Sequence, residues 1–147
     1  MRNKKTLQLT TMAFVIAFAM ILSFVESRIP AFVAIPGVKV GLANIAVIFT
    51  LYKLGVKEAI TVSIIRVLLI SMLFGSPVSL IYSISGATLS LATMILLKKL
   101  TPLTEVTISV TGGVMHNVGQ IAAASFMLST NVVIYYLPLL FVSGTIE

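Results

Sequence analysis

Arg66 and His116 are the side chains of this sequence best suited to chemistry, one set inside an apolar run and the other the single histidine of the chain. A guanidinium presents a planar fork of donors that matches a carboxylate or phosphate. An imidazole can donate, accept or ligate a metal. His116 lies in Gly112-Gly113-Val114-Met115-His116-Asn117-Val118-Gly119-Gln120. On a helix Gly112, His116 and Gln120 recur at i, i+4 and i+8 and share a face, with Gly113 and Asn117 beside them. That face is open to two readings: a polar ligand site, or a packing seam where small residues admit another backbone and amides hydrogen-bond across helices. Metal chemistry has little to build on. Cysteine and aspartate are absent, and the acids are Glu26, Glu58, Glu105 and Glu147. One histidine without thiolates lacks partner ligands for zinc. The same inventory excludes disulfides, iron–sulfur clusters, a cysteine nucleophile and a haem held by two histidines. We expect no catalytic residue, no metal site and no resident cofactor.

The elements that hold these side chains follow from composition. Of 147 residues, 59% are hydrophobic and 10% charged, with a mean hydropathy of +1.14. A soluble domain carries about 25% charged residues, so the expectation is an all-α integral membrane protein covered by lipid. A net charge of +6 would suggest nucleic acid in a soluble protein; here it is read against a membrane, and no nucleic-acid partner is expected. The length allows a single domain over 1–147. A span needs about 20 apolar residues, and runs with their punctuation predict six helices over 7–24, 40–54, 57–74, 78–97, 106–127 and 132–147. With the N-terminus inside, Arg2, Lys4, Lys5, Lys53, Lys57, Lys98 and Lys99 are cytoplasmic, and only Arg28 and Lys39 are outside. The positive-inside rule therefore predicts an N-in, C-in topology. The first run resembles a signal peptide in charge, but no small-residue cleavage site follows it, so it reads as a retained helix.

In lipid the polar residues are the informative ones. Arg66 falls about nine residues, roughly 13 Å, from either end of its run, where an arginine costs about 2.5–3.5 kcal/mol. It either bonds backbone carbonyls and amide side chains or binds an anion. No acid is expected at its depth, since Glu26 at the outer end of the first helix reaches it only partway. The outer loop Pro36-Gly37-Val38-Lys39-Val40-Gly41 leads into the second helix, with Asn44 about one turn deep. Amides at that helix start can receive an anion, with Lys39 adding charge at the mouth; equally, the loop is a plain turn and Lys39 an interfacial anchor. Ala13 and Ala17, four apart, make a small-residue docking surface for another membrane helix. Ser85-Gly86-Ala87-Thr88 looks like a short motif for covalent FMN attachment to threonine, but it lacks the upstream aspartate of the longer motif, and we read it as coincidence.

The segments 36–44, Arg66-Val67-Leu68, Tyr82-Ser83 and 116–120 together resemble the Gx transporter family, also catalogued as heptaprenyl diphosphate synthase component I. The resemblance runs from the first helix to about Leu140. Family members usually continue beyond the point where this chain ends, which implies a short or truncated sixth helix. The family is similar to the substrate-binding S components of energy-coupling-factor (ECF) importers of bacterial plasma membranes, six-helix proteins without an ATPase of their own. It thus implies a binding subunit for a small, anionic or vitamin-like molecule, energised by partner ATPases. The resemblance also implies that Ala13 and Ala17 dock on the coupling subunit. By position it implicates Lys39, Asn44 and the later helices in substrate binding, to which the polar residues Arg66, His116, Asn117 and Gln120 are added as candidates. Two alternatives follow from the same resemblance. One is a membrane partner of an extracytoplasmic FMN-binding protein in flavin- or quinone-linked electron transfer. The other is a non-catalytic subunit of heptaprenyl diphosphate synthase, since such synthases bind magnesium through aspartate-rich motifs and this chain has no aspartate.

Overall fold

The computed structural model describes residues 3–28 and 42–128. Five helices account for nearly all of them: α1 (Lys4–Arg28), α2 (Asn44–Lys53), α3 (Val56–Phe74), α4 (Pro77–Leu100) and α5 (Glu105–Leu128). There is no strand among the described residues. The helical class is as expected, and the ends of α3, α4 and α5 fall within a few residues of the predicted runs. The predicted helix over 132–147 lies outside the described residues, as does the loop carrying Lys39.

Local chemistry sets the helix ends. Ser76 caps α4, its Oγ accepting from the Ser79 backbone N–H at 3.2 Å, and Pro77 at the first helical position needs no donor there. Thr104 does the same for α5 through the Thr107 N–H at 3.3 Å. Between α2 and α3 the link is Leu54-Gly55, and Gly55 takes φ +131°, a conformation that side chains rarely adopt. So short a link turns α3 back antiparallel to α2. At the close of α2, Lys98 Nζ donates to the Leu51 carbonyl at 2.7 Å and sits 4.8 Å from the Tyr52 ring. A cation suits the negative end of a helix.

The directions of the helices follow from their contacts. Gln8 Nε2 donates to Glu58 Oε1, joining the starts of α1 and α3. Gly86 and Gly119 bring α4 and α5 together antiparallel. A Cβ at Gly119 would lie 2.7 Å from the Ser85 carbonyl oxygen and 2.9 Å from Gly86 Cα. One end of the bundle therefore collects Lys4, Lys5, Lys53, Lys57, Lys98 and Lys99. The other end collects the close of α1 and the start of α2. Short α2 is the pivot, packing against all four other described helices.

Two apolar clusters fill the interior toward the lysine end and the middle. Val47, Ile48, Leu51, Ala59, Leu91, Met94 and Ile108 form one. Val15, Ala19, Ala46 and Val62 form the other, between α1, α2 and α3. The exterior is apolar as well: Phe14, Phe18, Ile21, Phe49, Ile64, Leu68, Met72, Leu96 and Phe126 are all exposed. Among the described residues two helices, α1 over Lys4–Glu26 and α4 over Pro77–Leu100, are long and apolar enough to cross a membrane. At 10 residues α2 spans about 15 Å, about half the thickness of a bilayer core.

Candidate functional site

Buried polar side chains gather at the end opposite the lysines. Each described helix sends at least one of them to a common cavity: Ser23 and Glu26 from α1, Asn44 from α2, Arg66 from α3, Ser83 from α4 and His116 from α5, with Val67 and Ile70 completing the wall. All six polar residues are less than a tenth exposed. The enclosed space among them is about 20 Å³, room for about one water.

The stripe of α1 that reaches the cavity is Val15, Ala19, Ser23 and Glu26, at i, i+4, i+8 and i+11. Its inner part packs in the apolar cluster, and its last two members turn polar where the cavity begins. Glu26 is an ill-favoured residue by local rules, because a carboxylate near a helix C-terminus meets the negative end of the dipole. Arg66 of α3 supplies the opposite charge on the same cavity wall. The sequence puts Glu26 at the outer end of the first helix, within only partial reach of Arg66, and gives no pointer to Ser23 and Ser83. The signal was there, since 15, 19, 23 and 26 mark one helical face and its last member is an acid at the wrong end of its helix.

Asn44 is the first residue of α2, not one turn inside it as the run from 40 predicts, because the helix is preceded by a turn at 42–43. There Ile45 N–H donates to the Leu42 carbonyl at 3.2 Å, an i to i+3 bond that turns the chain before the helix begins. Asn44 Nδ2 donates to Ser90 Oγ at 2.9 Å. That bond ties the start of α2 to the middle of α4 and closes the cavity toward the apolar interior.

Of the site residues predicted from sequence, the structure brings Asn44, Arg66 and His116 together on the cavity wall. Asn117 and Gln120 are equally buried, at 1% and 4% exposure, but do not line it. Gln120 faces α4, with its Cγ 2.9 Å from where a Cβ of Gly86 would lie, and neither of its amide atoms has a hydrogen-bond partner among the described residues. Gly112 packs against Met94 and Ser90. The stretch 112–120 is thus a close packing seam against α4 and, through His116, a cavity wall. Lys39 lies outside the described residues. Ala13 and Ala17 are exposed on the outer side of α1, away from its inward stripe. Thr88 of the flavin-like tetrapeptide is exposed beside an apolar groove between α3 and α4, and Gly86 of the same tetrapeptide is consumed in packing against α5. No cluster of metal-ligating side chains occurs among the described residues.

Comparison with known proteins gives one match. The sequence model of a family described as heptaprenyl diphosphate synthase component I matches residues 15–147, about nine-tenths of the chain. No curated protein and no solved structure matches.

Proposed function

We propose that this chain, which belongs to the heptaprenyl diphosphate synthase component I family, is a membrane-embedded binding subunit of an ECF-type importer that holds a small molecule with an anionic group against Arg66. The observation that carries the reading is the convergence of six buried polar side chains, from five helices, on one cavity in a bundle apolar both inside and out. Buried ionisable residues are expensive in an apolar bundle and mark functional sites by default. The exposed aromatic and aliphatic side chains face lipid, six spans run with both termini inside, and the cavity lies in the outer half, opposite the lysine end. Chemistry here is binding, with no catalysis by this chain. Energy comes from partner ATPases through a coupling subunit that docks on Ala13 and Ala17. In a bacterial plasma membrane this places ligand capture outside and the energising partners inside.

The description of the family supports a second reading, a non-catalytic membrane component of a prenyl diphosphate synthase. Purification from native membranes in mild detergent, followed by mass spectrometry of retained proteins and small molecules, separates the two. A retained small molecule with coupling and ATPase subunits supports the importer. A soluble synthase in their place supports the second reading, and an FMN-binding protein would revive the electron-transfer alternative. A purified chain that retains no molecule and no partner refutes the importer reading.

A further inference from the structure

The exterior of the bundle between α3 and α4 carries a groove of about 510 Å³, far larger than the enclosed polar space. Its walls include Ile60, Ile64 and Leu68 of α3 and Ile84, Leu91 and Ile95 of α4. The spacing accounts for the walls. On α3, Lys57, Ile60, Ile64 and Leu68 recur at i, i+3, i+7 and i+11, and on α4, Ile84, Leu91, Ile95 and Lys99 recur at i, i+7, i+11 and i+15. Each stripe therefore ends in a lysine about one turn beyond the groove. Because α3 starts and α4 closes at the lysine end, Lys57 and Lys99 stand at the same mouth, and both are exposed. Their neighbours are otherwise engaged. Lys98 donates to the Leu51 carbonyl, and Glu58 accepts from Gln8 of α1.

Length and charge together name the occupant. From Ile60 to Leu68 the α3 wall rises about 12 Å, and from Ile84 to Ile95 the α4 wall rises roughly 16 Å. One leaflet of a bilayer core is about 15 Å thick. We propose that this groove binds an anionic phospholipid of the inner leaflet, with one acyl chain along the apolar walls and the phosphate between Lys57 and Lys99. A free anion would make no use of the apolar walls, and a lipid without net charge would leave the two lysines unmatched. The groove between α1 and α2, of about 370 Å³, lacks this arrangement. Only its α2 wall has a lysine within about a turn, Lys53 after Phe49. The inference goes beyond the binding-subunit reading and takes from it only the membrane placement with the lysine end inside.

The chain has no tryptophan, so a single one reports on the lipid beside it. Thr88 lines the groove and is exposed, which makes Thr88→Trp the reporter. The full chain is reconstituted in vesicles mixing phosphatidylcholine and phosphatidylglycerol, with one or the other brominated on its acyl chains. Quenching then gives the preference for the anionic lipid at that position. Thr88→Trp should show a preference on the order of tenfold or more, since each basic residue near the surface contributes about fivefold. Adding Lys57→Gln and Lys99→Gln should bring the preference to about unity, each alone costing about fivefold. Phe14→Trp in the α1–α2 groove should show about fivefold or less. If Thr88→Trp does not fold, Ile64→Trp makes the same measurement from the α3 wall. Equal quenching by the two lipids at Thr88, or a preference that survives loss of both lysines, overturns the site. Quenching at Phe14 with none at Thr88 means that protein covers the groove, and overturns it too. Quenching at neither position overturns the membrane placement as well. None of these readouts involves a transported molecule or a coupling subunit, so the importer reading is tested separately.

Discussion

The seam between α4 and α5 makes a quantitative demand on two glycines that look alike in sequence. A Cβ at Gly119 would meet the Ser85 carbonyl oxygen at 2.7 Å, Gly86 Cα at 2.9 Å and Ser85 C at 3.0 Å, all backbone. A Cβ at Gly112 would come as close, 2.6 Å from Met94 Sδ and 2.7 Å from Met94 Cγ, but these belong to a flexible side chain. The two substitutions to alanine therefore differ in what must move. At Gly119 the helices themselves have to part by several tenths of an ångström, and overpacking of that kind costs about 1–3 kcal/mol. Alanine regains about 1 kcal/mol of helix propensity, so the net is a loss of up to about 2 kcal/mol. At Gly112 the thioether can re-pack, because methionine is unbranched and adaptable. The propensity gain then offsets most of the contact, for a net change of about 1 kcal/mol or less in either direction. Thermal unfolding in detergent should place Gly119→Ala several degrees below the unaltered chain, at a few degrees per kcal/mol, and Gly112→Ala close to it. Equal loss in the two variants would refute the claim that backbone contact, as opposed to small-residue content, holds this seam.

Three further outcomes are expected. Arg66→Gln should weaken an anionic contact worth about 1.5–3 kcal/mol, which calorimetry would read as a tenfold to hundredfold loss for the retained small molecule; unchanged affinity would move the ligand away from this cavity. Single cysteines at Ser76 and Asn131, in a chain with no native cysteine, should react with an impermeant thiol reagent outside the cell, and one at Lys98 should not; labelling at Lys98 would reverse the topology and put the cavity on the inner side. Ala13→Leu with Ala17→Leu should lower uptake while ligand binding to the isolated chain persists, since bulk on the exposed side of α1 blocks close approach of a partner helix; normal uptake and assembly would remove this docking surface.

How much of this was legible beforehand depended on the kind of signal. Helix existence was plain, because apolar runs bounded by Gly75-Ser76-Pro77 and by Lys98-Lys99 can hardly be anything else. The start of α2 was not. An apolar run continues from 40, and only the turn at 42–43 ends the helix there, an event that hydropathy does not register. Within 112–120 the spacing marks Gly112, His116 and Gln120 as one helical face, with both a seam and a site in view. Periodicity could not divide the labour. Gly112 and Gly119 take the packing, His116 takes the cavity, and Gln120 is held against α4 because Gly86 leaves it room.

The larger omission was Glu26, and its cause was a one-dimensional measure of depth. Counting residues along the run sets it at the outer end of the first helix, only partway to Arg66, whereas burial is fixed by what packs around it. The inward stripe of Val15, Ala19 and Ser23 carries the helix face, and therefore Glu26, into the bundle. A carboxylate held there against the sign of its own helix dipole has no local reason to exist. Its reason is the wall opposite, where Arg66 stands in the same cavity. Each of the two charges is costly alone, and replacing such a pair by apolar residues commonly leaves a protein as stable or more so. A pair that adds little to stability, placed where the described helices converge, therefore supports the binding reading over a purely structural one.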